Sequence, residues 1–257
     1  MNIHPTAVVG PGAQLADGVR VGPYCTIGDH VMIGKNTILI SHVVIEGHTR
    51  IGEGNTIYPF VSIGSPPQDI GYRGEETYVI IGQDNLIREF TTINRATTKQ
   101  ERRTVVGSEN YLMAYSHIAH DCVLGNKIIM GNAATLGGHV QVGDCAIFGG
   151  MVAVHQFVRI GSHAFLGGKA GIDRDVPPFM IAAGERAKLY GVNQKGLTRL
   201  GWMPEKIAAL KKAYRILWRK NRSFHEGVNE VRAEIASFPE LEVLLSFLVK
   251  SKRGILR

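Results

Sequence analysis

Aliphatic residues recur at every sixth position along about two thirds of this chain of 257 residues. Counted from Ile3, the register holds for eleven consecutive positions to Ile63, and it returns at Ile81 after a break. A second shift follows, and the count then runs from Val106 to Ile172. This period suits neither a helix nor simple strand alternation, but it suits a short strand followed by a tight corner. Three such units form one triangular coil of about 18 residues, and stacked coils bury a continuous aliphatic column.

The repeat stops near Pro177 and Pro178, and helical patterns follow it. Pro204 suits the first turn of a helix, and residues 223–226 match a capping box that opens another helix. We therefore predict a β-solenoid over residues 1–184, with loops inserted near 65–78 and 95–104, and a C-terminal helical domain over residues 185–257. Loops that project from a rigid scaffold are where function usually resides.

The C-terminal part is strongly basic. Residues 185–257 contain 16 Lys and Arg against 7 Asp and Glu, whereas residues 1–184 contain 13 against 15. Such a surface favours an acidic partner or a phosphate-bearing ligand, although a solvated helical face gives the same count. The basic residues that crowd together there are Lys211, Lys212, Arg215, Arg219, Lys220 and Arg222.

The sequence lacks the patterns of several other protein classes. No apolar run approaches the roughly 18 residues that a membrane span needs, and the first residues show no signal-peptide pattern. Cys25, Cys122 and Cys145 form a sparse, odd set without metal-type spacing. We expect a cytoplasmic protein with reduced thiols, no membrane span and no nucleic-acid partner.

Histidines provide the candidate chemistry. His139 and His155 lie about one and two coils beyond His120, so the three are expected to line one corner, and His117 precedes them on the first coil. Three interpretations stay open: hydrogen-bonded corner residues, a zinc site of three imidazoles, or acid–base catalysis on a bound substrate. Asp121, next to His120, favours catalysis because a carboxylate fixes the imidazole tautomer.

Several specific motifs reach beyond the hexapeptide repeat. They are Ser41-His42-Val43-Val44, His117-Ile118-Ala119-His120-Asp121-Cys122, Gly149-Gly150-Met151, Val154-His155-Gln156-Phe157, Asp175-Val176-Pro177-Pro178, Gly191-Val192-Asn193 and the closing Arg-Gly-Ile-Leu-Arg. With them the chain resembles, from end to end, the UDP-N-acetylglucosamine O-acyltransferases of lipid A biosynthesis, within the hexapeptide acyltransferase family. The resemblance implies a mainly β protein, a left-handed parallel β-helix followed by a small C-terminal α-helical domain.

The resemblance also implies an activity. Members of this family transfer an R-3-hydroxyacyl chain from acyl carrier protein to the 3-position of UDP-N-acetylglucosamine, the first step of lipid A biosynthesis. They work as homotrimers with sites between subunits, and they need no metal or other cofactor. Two alternatives stay open beside this activity: transfer to a 3-amino UDP-sugar, which gives an amide, and a zinc-dependent hexapeptide carbonic anhydrase.

Residue roles carry over position by position. His120 matches the general base, Asp121 orients it, and the Gly138 N–H matches the oxyanion donor. The expected substrate contacts are Gln68, Asp69, His117, His139, His155, Gln156, Asn193 and Arg199. The expected wall of the acyl-chain groove is Phe165, Gly168 and Lys169. Departures from the family pattern, which bear on nucleotide contacts and the acceptor, are Gly71, Asn94, Lys195 and Leu200.

Overall fold

The computed structural model describes residues 2–220 and 223–257, so Arg222 of the predicted basic cluster lies outside the described residues. Most strands are only two residues long, as a six-residue period requires. The strands are β1 (Asn2–Ile3), β2 (Val8–Val9), β3 (Gln14–Leu15), β4 (Arg20–Val21), β5 (Thr26–Ile27), β6 (Val31–Ile33), β7 (Ile38–Leu39), β8 (Val44–Ile45), β9 (His48–Ile51), β10 (Thr56–Ile57), β11 (Ser62–Ser65), β12 (Tyr78–Ile81), β13 (Leu86–Ile87), β14 (Thr92–Asn94), β15 (Arg103–Val106), β16 (Tyr111–Leu112), β17 (His117–Ile118), β18 (Val123–Leu124), β19 (Ile129–Met130), β20 (Thr135–Leu136), β21 (Gln141–Val142), β22 (Ile147–Phe148), β23 (Ala153–Val154), β24 (Arg159–Ile160), β25 (Phe165–Leu166), β26 (Gly171–Ile172), β27 (Met180–Ala183) and β28 (Lys188–Val192).

From β1 to β26, every third strand joins the same sheet, and β27 and β28 then both extend the sheet of β25. Within the described residues, sheet A begins with β1 and has eleven strands, sheet B begins with β2 and has nine, and sheet C begins with β3 and has eight. Pairing is parallel throughout these sheets except where β28 returns antiparallel to β27. The chain therefore turns three corners per coil, which we call A–B, B–C and C–A after the sheets they join.

The counted aliphatic residues fill the interior. Ile27, Leu39 and Ile57 each end a strand, and their exposed fractions are 1% or less. Many corner residues other than glycine adopt left-handed backbone, such as Asn36 and Asp84 with φ of 57° and 56°. Because this geometry repeats from coil to coil, side chains at equivalent corner positions lie above one another.

Two corners carry side-chain ladders. Exposed rings stack along the A–B corner with centroids 4.8–5.0 Å apart, in the order Tyr24, His42, Phe60, Phe90 and Tyr115. Buried amides follow the C–A corner, where Asn55 Oδ1 accepts from Asn85 Nδ2 at 2.9 Å and Asn85 Oδ1 accepts from the Asn110 N–H at 2.9 Å. These contacts fix the register between coils.

The B–C corner differs because two longer connections leave it. Residues 66–77 connect β11 of sheet B to β12 of sheet C, and residues 95–102 connect β14 to β15 in the same way. Both connections therefore project from one corner of the solenoid. Later coils pass the same corner by tight turns at 119–122, 137–140 and 155–158.

Helices follow the solenoid: α1 (Gln194–Arg199), α2 (Pro204–Tyr214), a π-helical turn at Arg215–Arg219, α3 (Phe224–Glu234) and α4 (Pro239–Val249). The predicted capping box is confirmed, since Ser223 and Glu226 cap α3 reciprocally. Among the described residues, no helix combines the length and hydropathy of a bilayer span. The division into domains at residue 184 stays a prediction.

The C-terminal tail returns to the end of the solenoid. Asp175 is fully buried, and its backbone N–H donates to the Gly254 carbonyl at 2.9 Å while its carboxylate accepts from Ser251 Oγ at 2.8 Å. Leu256 donates its N–H to the Asp175 carbonyl at 3.0 Å. The tail thus ties the helices to the last coils.

Candidate active site

A histidine–aspartate pair lies at the B–C corner, directly after β17. Ile118 points into the core, and the corner then turns at Asp121, whose φ is 60°. The turn brings His120 Nδ1 to 2.8 Å from Asp121 Oδ2. The side chain of Asp121 is 1% exposed and that of His120 is 12% exposed. The pair therefore fixes which imidazole nitrogen bears hydrogen and leaves Nε2 available as a base.

Asp121 is held by a neighbouring loop. Thr97, from the 95–102 connection, donates to Asp121 Oδ2 both from its backbone N–H at 3.0 Å and from its hydroxyl at 2.8 Å. Burial alone raises the pKa of Asp121, but the hydrogen bonds from His120 and Thr97 outweigh burial, so the pKa lies below its ordinary value. Asp121 is consequently ionised at neutral pH, and its negative charge stabilises a protonated His120.

Gly138 lies against the imidazole of His120, one coil further on. A Cβ at this position would lie 2.5 Å from His120 Cε1 and 2.7 Å from Nε2, so any larger residue displaces the ring. The Gly138 carbonyl accepts from the Phe157 N–H at 3.0 Å, whereas its own N–H makes no hydrogen bond to a described residue. A free backbone donor next to a candidate base is the arrangement that an oxyanion requires.

His139 covers the other side of the pair. Its ring meets that of His120 edge-on, with centroids 5.2 Å apart, and stacks on Phe157 at 4.5 Å. Burial lowers the pKa of His139, so the ring is neutral at neutral pH. Its buried Nδ1 has no hydrogen-bond partner among the described residues, and neither has Asp121 Oδ1. Such unpartnered buried polar atoms are uncommon in protein interiors and are typical of ligand-binding sites.

The 66–77 loop brings Asp69 to the same corner. Asp69 Oδ1 accepts from the Gly71 N–H at 2.7 Å, and Oδ2 pairs with the ammonium of Lys99. The hydrogen bond from Lys99 contributes most to holding the pKa of Asp69 below its ordinary value. Gln68, on the same loop, is exposed. Asn94 fastens the loop from below, since its Nδ2 donates to the Pro66 carbonyl at 2.8 Å.

Three further candidates lie near the pair without touching it. His117 precedes it on β17, where its Nδ1 is 2.7 Å from Thr92 Oγ1, and burial lowers its pKa. His155 and Gln156 are exposed at the B–C corner two coils beyond the pair. His155 Nδ1 lies 2.8 Å from Arg253 Nη2 of the C-terminal tail. The predicted order of His120, His139 and His155 along one corner is therefore present, with His155 turned outwards.

Known proteins of similar sequence decide the family. A relative from Thermodesulfovibrio yellowstonii, named acyl-[acyl-carrier-protein]--UDP-N-acetylglucosamine O-acyltransferase, is 54% identical over 255 residues, 99% of each chain. The chain belongs to this acyltransferase family. A relative of the same name from Syntrophobacter fumaroxidans is 50% identical over 258 residues, 100% of each chain. The family model described as Udp N-acetylglucosamine O-acyltransferase, Domain 2, matches residues 175–256, and that described as Bacterial transferase hexapeptide (six repeats) matches residues 1–35.

The solved structures agree. LpxA from Acinetobacter baumannii superposes with a TM-score of 0.98 at 42% identity, with 100% of each chain covered. The predicted fold class, a left-handed parallel β-helix with a small C-terminal helical region, is thereby confirmed, as is the resemblance drawn from the motifs. The 3-amino acceptor and the carbonic anhydrase, which the sequence left open, gain no support from these O-acyltransferases.

The other predicted residues of this acyltransferase lie at other corners of the same chain. Asn193 caps α1 and donates from Nδ2 to the carbonyl of His163 at the C–A corner, at 3.1 Å. Arg199 is exposed at the end of α1. Phe165 lies on sheet A, and Gly168 and Lys169 follow it at the A–B corner, where both are exposed. Among the described residues, no hydrogen bond, ion pair or ring contact joins these groups to His120.

The donor set at the B–C corner also bears on metal binding. Atoms of His120, Asp121 and His139 lie within 4.8 Å of one another, and this is the one such group in residues 2–220 and 223–257. His120 Nδ1 and both Thr97 donors already occupy Asp121 Oδ2. Asp121 Oδ2 is therefore used as a hydrogen-bond acceptor, as an acid–base pair requires, while Asp121 Oδ1 and His139 Nδ1 have no partner among the described residues.

Proposed function

We propose that this acyltransferase moves an R-3-hydroxyacyl chain from acyl carrier protein to the 3-hydroxyl of UDP-N-acetylglucosamine, the first step of lipid A biosynthesis, through His120, Asp121 and Gly138. The names of the relatives given above support the acyl carrier protein as donor and O-acylation of UDP-N-acetylglucosamine. The observation that carries the residue assignment is the contact of His120 with both a buried carboxylate and a glycine that has a free N–H.

His120 acts as the general base. Its Nδ1–H is held by Asp121, so Nε2 takes the proton from the sugar hydroxyl as the hydroxyl oxygen attacks the thioester carbon. Asp121 stabilises the imidazolium that results, because its depressed pKa keeps the carboxylate charged. No residue needs to become acylated, so the transfer is a single displacement.

The Gly138 N–H stabilises the charge on the carbonyl oxygen of the tetrahedral intermediate. Collapse of the intermediate breaks the carbon–sulfur bond, and the proton on His120 passes to the leaving thiolate. The products are an ester and the free thiol of the carrier protein, so atoms and charges balance. In this proposal, neutral His139 and the Asp69 carboxylate contact the acceptor sugar.

A homotrimer explains why the remaining candidates lie apart. Asn193 and Gly168 lie at the C–A and A–B corners, whereas His120 lies at the B–C corner. Contact between the B–C corner of one subunit and another corner of its neighbour brings such groups to one groove. The exposed aromatic ladder of the A–B corner supports this assembly, since contiguous exposed apolar surface marks protein interfaces.

The basic helices would receive the acidic carrier protein. Lys212 already pairs with Glu234 at 2.9 Å, and Lys220 pairs with Glu230. In residues 2–220 and 223–257, Lys211, Arg215 and Arg219 have no ion-pair partner, although Arg219 lies over the Tyr214 ring. We assign these three charges to docking of the carrier. We therefore expect salt to weaken capture of the carrier more than it weakens binding of the sugar. The cytoplasmic location stays a prediction.

The test is a purified-enzyme assay with R-3-hydroxyacyl carrier protein and UDP-N-acetylglucosamine, in the presence of a chelator. We expect ester formation that persists in chelator and falls by about a thousandfold or more in His120→Ala. His4→Ala, which alters an exposed ring at the A–B corner of the first coil, is the matched control. Failure of the wild type to acylate the sugar, or full activity of His120→Ala, would contradict the proposal.

A further inference from the structure

The two loops of the B–C corner are joined to each other by an ion pair. Lys99, on the 95–102 loop, contacts Asp69 Oδ2 on the 66–77 loop, while the Gly71 N–H holds Oδ1 at 2.7 Å. The Asp69 side chain is 12% exposed, so little of it is left to water. Both carboxylate oxygens therefore have protein partners, and Lys99 provides the one that comes from another loop.

The loop that carries Lys99 also carries the support of the base. The Lys99 N–H donates to Thr97 Oγ1 at 3.3 Å, and Thr97 holds Asp121 by two hydrogen bonds. A continuous chain of contacts thus runs from Asp69 through Lys99 and Thr97 to Asp121 and His120. The distance between the Asp69 carboxylate and the base depends on this chain.

Further hydrogen bonds hold the two loops where they leave the solenoid. Arg95 donates from Nη1 to the Gly64 carbonyl at 2.7 Å and from Nε to the Tyr72 hydroxyl at 3.1 Å, and Asn94 donates to the Pro66 carbonyl. These bonds keep the loops folded even without Lys99. Lys99 itself is 58% exposed, so its ion pair contributes little to stability, and its effect is on placement.

We propose that Lys99 is a positioning residue that orients the Asp69 carboxylate toward the acceptor sugar and sets its distance from His120. The proposal rests on the proposed function, in which Asp69 contacts the UDP-sugar. Without the Lys99 ammonium, the Asp69 carboxylate rotates toward solvent. It is then no longer oriented to bind the sugar. The base and the oxyanion donor keep their own contacts, so the chemistry of the bound complex is unchanged.

The first test separates KM from kcat. We expect Lys99→Met, which keeps most of the side-chain length without the charge, to raise the KM for UDP-N-acetylglucosamine about tenfold, because misplaced binding groups weaken productive binding. The KM for the acyl carrier protein and the pH profile of kcat should stay as in the wild type. Lys99→Arg should restore the KM to within about threefold, since it restores the charge. Lys127→Met is the matched control, because Lys127 forms an exposed pair with Glu109 at 3.5 Å on the C–A corner.

A double-mutant cycle identifies the route of the effect. If Lys99 acts through Asp69, Lys99→Met should add almost nothing to the KM of Asp69→Asn. Hydrogen exchange provides a readout that needs no activity: segment 66–77 should exchange faster in Lys99→Met and not in Lys127→Met. An unchanged sugar KM with unchanged exchange, or fully additive effects in the cycle, would overturn the proposal. A wild type that transfers nothing to the sugar would instead refute the proposed function. The exchange result would still test whether Lys99 orders segment 66–77.

Discussion

The C–A and B–C corners repeat the same turn and use buried polar side chains in opposite ways. At the C–A corner, Asn55, Asn85 and Asn110 have partners for their amide oxygens on the adjacent coil. At the B–C corner, Asp121 Oδ1 and His139 Nδ1 are buried without a partner among the described residues. The asparagine ladder of the C–A corner thus stabilises the stack of coils, although His163 Nδ1 of that corner is also unpartnered among the described residues. At the B–C corner the unpartnered atoms lie beside the candidate base, where our proposal places the substrate. Substitutions at the two corners should therefore separate stability from catalysis.

The largest effect is expected from Asp121→Asn at the B–C corner. The neutral amide no longer stabilises the imidazolium of His120, so kcat should fall by about a thousandfold. Thermal unfolding measured on the same sample should shift far less than activity. Comparable losses of activity and folded protein would mean that this corner is structural, and the contrast between the corners would fail.

The converse change is Asn85→Leu at the C–A corner. It removes the acceptor of the buried Asn110 N–H and the donor to the partly buried Gly107 carbonyl, and leaves both groups without these partners. The free energy of unfolding should fall by about 3 kcal/mol, while kcat at a permissive temperature is retained. Denaturant titration measures the loss, with the exposed Asn126→Ala as the control. A large fall in kcat with unchanged stability would contradict the comparison, because the C–A corner would then affect catalysis and not folding.

A smaller effect is expected from Thr97→Val, which removes one of two hydrogen bonds from Thr97 to Asp121 and keeps the backbone donor. Hydrogen bonds to charged groups contribute about 1.5–3 kcal/mol, so kcat should fall about tenfold. Thr56→Val, on sheet A, should leave kcat unchanged. Equal activities of the two variants would show that Asp121 does not need the Thr97 hydroxyl.

The smallest effect concerns pH. Burial lowers the pKa values of His117, His139 and His163 in the folded protein. The unfolded chain therefore binds more protons than the folded one once the pH falls below about 6.5, and stability decreases in that direction. The unfolding midpoint should be constant from pH 8 to about 7 and should drop toward pH 5. His139→Gln should reduce this slope, and a midpoint that rises on acidification would refute the assignment of these rings as buried and neutral.

The sequence predicts the coils well because each inward residue repeats the same environment. Ile118 and Leu136 occupy equivalent positions, and the position of His120 beside Gly138 follows from counting one coil. The same counting places His155 on the correct corner. It does not show that His155 turns outward to Arg253, because that contact joins residues 98 positions apart through the C-terminal tail.

Thr97 and Lys99 were missed for a different reason. Both lie in a connection that interrupts the repeat, where no period relates a residue to its neighbours in space. The signal that was available is the position of the loop, since an insertion between a strand of sheet B and one of sheet C must emerge at the corner of His120. Asn94, noted only as a departure from the family pattern, proves to hold the other loop through Pro66.

The return of the C-terminal tail has a consequence for the order of folding. Most contacts of the solenoid join neighbouring coils, so they close short loops and form rapidly once a nucleus exists. The contact of Ser251 with Asp175 spans 76 residues and that of Arg253 with His155 spans 98. Closing such long loops is slower, so the tail should dock last. The solenoid would then form one coil after another. In the last step of folding, the tail would attach the helices to coils that are already complete.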